Sequence, residues 1–129
     1  MFKAIDIRKY NVKLKATIHS SGKLNFTEDT VRVLGLSEST FVRFGIDDED
    51  SSVYYLAILP EGDENSFQIR KSGVCHYIPG KLLFDALGLD YKNKPIMFDL
   101  IRMSEMDEVA GGEVYKLLKR ISPRKNKEI

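Results

Sequence analysis

The sequence predicts a mainly β protein with two short helices, built from two related units that share one core. Two observations lead to this fold class: short features occur twice along the chain, and apolar and polar residues alternate within each copy. The chain has 129 residues, the size of one ordinary domain, and 43% of them are hydrophobic. We therefore expect a single compact domain over residues 1–129, with a first unit at 11–59 and a second at 67–118.

The repeat consists of short matches that keep their order along the chain. Ile18-His19-Ser20-Ser21-Gly22 recurs as Ile69-Arg70-Lys71-Ser72-Gly73, with an aromatic residue four positions after each glycine. Leu34-Gly35-Leu36 recurs as Leu87-Gly88-Leu89. The offset between the copies grows from 51 to 53 residues between these matches, in a predicted loop. The order of the matches favours duplication over chance similarity between two strand-rich stretches.

Local patterns give the first unit two strands, a short helix and a hairpin. Apolar residues alternate with polar ones from 12 to 19, which is typical of a half-buried strand. Thr27 is a suitable N-cap for the helix, and Gly35 suits its C-terminal end because glycine adopts the left-handed conformation without a steric penalty. Strands at 41–46 and 53–59 then predict a hairpin around an acidic loop.

The second unit is predicted to repeat this order with longer loops. A unit of about 50 residues buries little apolar surface alone, so the two units should share a core. The total is about eight strands and two short helices. The elements predicted for the second unit are strands at 67–70, 74–78, 95–101 and 113–118, a turn at 71–73, a helix at 81–87 and a polar loop at 103–112.

The stretch from Thr17 to Leu36 resembles the N-terminal module of AbrB, MazE and SpoVT-type regulators. In that family a strand, a turn ending in glycine, a strand and a short helix ending in Leu-Gly-Leu precede a hairpin. The resemblance covers Thr17 to Leu59 well and Phe67 to Leu118 loosely. It implies a swapped-hairpin-like barrel in which one chain carries both halves of the family's dimer, as a pseudo-dimer. It also implies a DNA-binding transcriptional regulator.

Members of that family contact DNA through basic side chains in the strand and turn before the helix. Just before the turn glycine, where the family often has a basic residue, this chain has Ser21 and Ser72. A flexible basic tail is predicted over residues 119–129. Taken alone, such a tail favours a merely solvated terminus, and beside the regulator-like repeat a phosphate-binding role is equally supported. The candidate DNA-binding residues are Lys13, Lys15, Lys23, Arg70, Lys71, Arg120, Arg124, Lys125 and Lys127.

The net charge of +1 conceals a strong segregation of charge along the chain. Residues 1–23 and 116–129 each carry +5, residues 24–65 carry −8, and residues 66–115 carry −1. The basic ends favour duplex DNA as a partner. The alternative is a protein-interaction module, antitoxin-like or structural, in which the acidic region Asp47 to Asp50 binds a basic protein partner. A homodimer is also left open, because the basic arms of one copy could meet the acidic loop of another.

Neither an enzyme nor a cofactor is indicated. The glycine-rich phosphate-binding motifs and the Gly-x-Ser-x-Gly nucleophile motif are absent. His19, His76 and Cys75 are too few for a zinc site, and Asp47 to Asp50 lacks the glycine and distal glutamate of an EF-hand loop. The single cysteine favours a reducing cytoplasmic setting, and no stretch is apolar enough for a signal peptide or a membrane span.

Aromatic residues on the predicted strands offer a second way to bind nucleic acid, by stacking on exposed bases. Tyr54 and Tyr55 are neighbours in one strand, so only one of them can face outward. Most of the aromatic rings considered for this role, which are Tyr54, Tyr55, Phe67 and Tyr77, are expected in the core.

Overall fold

The protein is described by a computed structural model, which covers residues 1–5 and 13–120. Within these residues the chain is mainly β, as predicted, with nine strands and three short α-helices. The elements follow in the order β1 (Lys15–Ile18), β2 (Lys23–Phe26), α1 (Glu28–Leu34), β3 (Phe41–Ile46), β4 (Tyr54–Leu59), β5 (Phe67–Gln68), β6 (Arg70–Ser72), β7 (Cys75–Pro79), α2 (Lys81–Ala86), β8 (Ile96–Arg102), α3 (Asp107–Ala110) and β9 (Glu113–Lys119).

All nine strands belong to one antiparallel sheet with the order β5-β3-β4-β9-β8-β1-β2-β7-β6. The first and last strands of this order, β5 and β6, are separated in sequence by Ile69 alone. Ile69 is buried, and its N–H donates to the carbonyl of Thr40 at 3.0 Å. The two ends of the sheet therefore meet at one residue, and the sheet forms a nearly closed barrel.

The strands of the two predicted units pair in the same way. In each unit the first strand pairs with the second and the third with the fourth: β1 with β2 and β3 with β4 in the first unit, β6 with β7 and β8 with β9 in the second. The predicted first strand of the second unit consists of β5 and β6, and across the units β1 pairs with β8 and β5 with β3. The strands that correspond in the predicted repeat also pair with each other, β2 with β7 and β4 with β9. Buried residues of both predicted units belong to one cluster, so the two share a core.

The core fills the barrel and extends beneath α2. Inward-facing residues such as Ile18, Leu24 and Leu56 are almost completely inaccessible to solvent. Phe84 of α2 packs on this core, with its ring edge-to-face against Phe44 at a centroid distance of 5.6 Å. Burial of such large apolar side chains is the main favourable contribution to folding.

Helix α1 has the ends that its sequence predicts. The hydroxyl of Thr27 accepts a hydrogen bond from the amide of Thr30 at 3.3 Å. Gly35 ends the helix with φ of 66°, in the left-handed region, and Leu36 donates to the carbonyl of Val31 at 3.0 Å. Because Leu36 is also buried, it holds the end of the helix on the core.

Thr30 attaches α1 to the neighbouring strand. Its side chain is fully buried, and its Oγ1 accepts from the amide of Lys15 at 2.8 Å and donates to the carbonyl of Lys15 at 3.2 Å. Thr27 Oγ1 lies 2.7 Å away. This hydroxyl therefore satisfies backbone groups at the start of β1 and fixes the position of Lys15.

Replacing Thr30 by valine is expected to reduce the free energy of unfolding by about 1–3 kcal/mol, because the Lys15 amide loses its acceptor in a buried site. Urea denaturation measures this loss. Thr17→Val, on the outward side of β1, is the control and should change stability by less than about 0.5 kcal/mol. Equal values for the two variants would contradict the role given to the Thr30 hydroxyl.

The structure corrects the predicted polar loop at 103–112. This segment forms a 3₁₀ turn at Ser104–Met106 followed by α3. The carboxylate of Asp107 receives two hydrogen bonds from the Arg102 guanidinium, at 2.6 and 2.5 Å, and one from the amide of Val114 at 3.0 Å. These bonds hold the segment against the end of β8 and the start of β9.

The predicted turn at 71–73 is also wrong. Lys71 and Ser72 belong to β6, and the turn consists of Gly73 and Val74, with Gly73 at φ of 61°. The turn in the first unit is longer, since His19 and Lys23 are bonded across it. The predicted strand at 67–70 is interrupted at Ile69, so the number of strands is nine and not eight.

Candidate nucleic-acid interface

Two of the predicted DNA-binding residues lie on the outer face of adjacent strands. The buried residues of β1 and β2 face the barrel interior, so the residues between them face outward. This places Lys15 and Thr17 of β1 beside Lys23 and Asn25 of β2 on one surface. Lys13 lies two residues before Lys15, just before β1, and it is exposed.

A transverse row of outward-facing residues crosses the barrel at this surface. Thr17 is the register partner of Asn25, Asn25 of Tyr77 in β7, and Tyr77 of Arg70 in β6. In the other direction Thr17 is opposite Met97 in β8, and the Arg120 amide donates to the carbonyl of Met97 at 2.7 Å. The row Arg120, Met97, Thr17, Asn25, Tyr77 and Arg70 spans roughly 24 Å at the usual spacing between strands. It carries an arginine at each end.

Tyr77 and Lys23 form the central contact of this surface. The Lys23 ammonium lies 4.5 Å from the centroid of the Tyr77 ring, within the range of a cation–π interaction. Tyr77 is half-buried on the outer face, so it is not one of the rings that lie in the core. Lys23 and Arg70 are both exposed, so their charges are available to a partner.

Lys15 differs from the other cations because an acidic residue and apolar residues lie near it on the outer face. It is half-buried, and its register partner in β8 is Asp99, an acid on the same outer face. The next outward residues of β8 and β9 are apolar: Ile101 and Leu118 are 43% and 48% exposed. We call the surface that carries Lys15, Lys23, Arg70 and Arg120 the basic surface. On its β8–β9 side it borders these apolar residues.

The remaining predicted site residues are not part of this surface. Lys71 follows Arg70 in β6 and is the register partner of His76, so alternation directs its side chain to the opposite side of the strand. Arg124, Lys125 and Lys127 lie outside the described residues. The structure thus brings together Lys15, Lys23, Arg70 and Arg120, with Lys13 alongside, and separates Lys71 from them.

Sequence reasoning missed the middle of the transverse row. Thr17 could have been found, because it alternates with Lys15 in the same predicted strand. Asn25 and Met97 could not, because their place beside Thr17 depends on which strands pair and in which register.

The acidic region predicted to bind a protein partner forms the tip of the β3–β4 hairpin. Asp47 Oδ2 accepts from the amides of Glu49 and Asp50, both at 3.0 Å, and the Tyr55 hydroxyl donates to Asp47 Oδ1 at 2.9 Å. These hydrogen bonds, above all the one from Glu49, lower the pKa of Asp47 from its ordinary value. Tyr55 faces outward and Tyr54 inward, as expected for neighbours in a strand.

The basic surface and the acidic tip lie on different parts of the barrel. The basic surface is centred on the β2–β7 pair, and the tip belongs to β3 and β4. In the sheet order, β9, β8 and β1 lie between β4 and β2. The acidic tip is therefore separate from the basic surface, although Lys116 of the basic C-terminal segment lies near Asp50 of the tip.

No group of three or more His, Cys, Asp or Glu side chains suited to a metal ion occurs within residues 1–5 and 13–120. In the same part of the chain, none of the helices has the length and apolar character needed to cross a bilayer. Comparison of the chain with protein-family models, with curated proteins and with solved structures gives no match in any of the three. The kinship with AbrB, MazE and SpoVT-type regulators accordingly stays a prediction, and the basic surface is the feature on which a function can be proposed.

Proposed function

We propose that this protein binds duplex DNA through the outer face of β1, β2, β7 and β6, in the manner of a transcriptional regulator. The observation that carries the proposal is the transverse row, which has Arg70 and Arg120 at its ends and Lys15 and Lys23 beside its middle. Residues far apart in the sequence supply these four cations, and strand register places them on one surface.

The cations serve to hold the phosphate backbone. Each phosphate neutralised by lysine or arginine releases condensed counterions, so binding of this kind weakens steeply as salt rises. Arg70 and Lys23 are exposed and make no ion pair among the described residues, which leaves them available for phosphates. Contacts of this kind position a protein on DNA without reading its sequence.

A polar residue between the cations would supply a contact to bases. Thr17 occupies the middle of the row, where a duplex held by the flanking cations would come closest, whereas the Oδ1 of its neighbour Asn25 is buried and has no hydrogen-bond partner among the described residues. A threonine hydroxyl can bond to several bases. Strands presented to a groove are an established way of reading DNA.

The acidic tip contributes to the orientation of the complex. Asp47 and Asp50 both have a pKa held below the ordinary value by hydrogen bonds, from the Glu49 amide and from the Ser52 side chain respectively. The tip therefore stays negatively charged and is repelled by phosphates, so an approaching duplex is directed to the other side of the barrel.

The sharpest test compares two neighbouring residues of β6. Arg70→Ala removes a cation from the surface, and Lys71→Ala removes one from the other side of the same strand. Fluorescence anisotropy with a labelled generic duplex, repeated over a series of salt concentrations, gives the affinity and its salt dependence. We expect Arg70→Ala to reduce the slope of log K against log salt by roughly 0.9 and Lys71→Ala to leave it unchanged.

Two results would contradict the proposal. Equal effects of the two substitutions would mean that DNA responds to total charge and not to this surface. Absence of any binding at about 50 mM salt, where non-specific phosphate contacts should already be visible, would exclude DNA as the partner. The alternative of a protein-interaction module, with the Asp47 to Asp50 tip as its contact, would then be favoured.

A further inference from the structure

A cavity of ≈ 170 Å³ lies at one end of the barrel, between α2 and the ends of several strands. Its wall is almost entirely hydrocarbon and includes the rings of Phe44, Phe84 and Phe98 and the side chains of Leu83 and Leu87. Protein interiors are close-packed and leave few voids larger than a water molecule. We propose that this cavity binds a small, neutral aromatic molecule of about one or two rings.

The chemistry of the wall excludes a charged ligand. Among the described residues no charged side chain lines the cavity, and Tyr54 is the one lining residue whose side chain carries a polar group. An ion would lose its hydration there without gaining a partner. A neutral and mainly apolar molecule, such as a phenol or an indole, matches a wall whose one residue with a polar side-chain group is Tyr54.

The size and shape of the wall favour an aromatic ring. An engineered apolar cavity of about 150 Å³ stays dry and binds benzene, so the volume here is sufficient for a ring. Phe44 and Phe84 already meet edge-to-face, with an interplanar angle of 89°. Aromatic rings prefer this geometry and offset stacking, and Phe98 in the same wall offers a further ring to a ligand.

An incompletely covered part of β3 gives access to the cavity. β5 pairs with β3 only at Phe41 and Val42, so within the described residues the rest of that edge of β3 has no strand beside it. Gly45 and Ile46, from this uncovered part, line the cavity, and Ile46 is 50% exposed. A ligand can therefore enter without unfolding of the barrel.

The test is a titration of the ¹⁵N-labelled protein with indole, followed by NMR, with benzene as a second probe. We expect saturable shifts of backbone amides around the cavity, including those of Gly45 and Leu87. Leu83→Phe fills the cavity and should weaken indole binding at least about tenfold. Leu82→Phe is the matched control, because Leu82 precedes Leu83 on the same helix but is 85% exposed, and it should leave the affinity unchanged.

Circular dichroism shows whether each variant folds, and Leu87→Phe replaces Leu83→Phe if the latter does not. Absence of saturable shifts in the wild-type protein up to the solubility of both probes would overturn the proposal without any variant. Binding that persists when the cavity is filled, or shifts confined to residues outside its wall, would also overturn it. None of these measurements involves DNA, so their outcome is independent of the proposed nucleic-acid interface.

Discussion

Replacing Phe84 by alanine is expected to reduce the free energy of unfolding by about 3–5 kcal/mol, a large share of the stability of a small domain. Phe84 is 2% exposed, and its ring lies edge-to-face to both Phe44 and Tyr91, at centroid distances of 5.6 and 6.4 Å. Its removal deletes a large buried surface and both aromatic contacts. The substitution also enlarges the cavity that Phe84 lines, and side chains around an existing cavity can fill the new space only in part.

Urea denaturation of the wild type and the variant measures this effect, with the slope m as a check that both unfold in the same way. Leu82→Ala, two residues earlier in α2, is the control. Its side chain is 85% exposed, so the expected change is within about 0.5 kcal/mol. A loss below about 1 kcal/mol for Phe84→Ala would show that α2 contributes little to the core.

Combined removal of Lys15, Lys23 and Arg70 is expected to abolish most of the salt-dependent affinity for DNA. If each contacts one phosphate, the slope of log K against log salt falls by roughly 2.7 for the triple alanine variant. These residues belong to β1, β2 and β6, so the substitutions remove three of the four cations of the basic surface and leave Arg120 at the other end of the row. Anisotropy titrations over a salt series measure the slope directly.

The matched control removes the same number of charges elsewhere. Arg32 lies on α1 and pairs with Asp29 at 2.7 Å, Lys92 lies near Asp85 beyond α2, and Lys71 is on the other side of β6. The triple variant Arg32→Ala, Lys71→Ala, Lys92→Ala changes the net charge by an equal amount. It should keep the wild-type slope, and a comparable decrease would contradict the assignment of the basic surface.

Local features of this chain could be predicted because local physics decides them. Thr27 and Gly35 end α1 as expected, since a hydroxyl acceptor and a residue tolerant of positive φ are what the two helix ends require. Alternation likewise placed Lys15 outward, because the neighbouring Ala16 had to be buried.

The failures concern contacts between distant residues. The third helix begins at Asp107, whose carboxylate accepts hydrogen bonds from the Arg102 guanidinium. The sequence contains no pattern that predicts this contact. The turn of the second unit is shorter than its counterpart, so alignment on Gly73 misplaced it. Lys71 therefore lies in a strand, where the period of two directs it away from Arg70. Two adjacent cations that looked equivalent in the sequence thus belong to different surfaces.

The two sides of the basic surface carry different side chains, which gives the surface a direction. Its centre is the β2–β7 pair, where Asn25 faces Tyr77, and the residues beyond them are Thr17 on one side and Arg70 on the other. Two identical chains would present the same residues twice and would suit an inverted repeat. The surface of this chain is asymmetric, so a bound duplex would be held in one defined polarity.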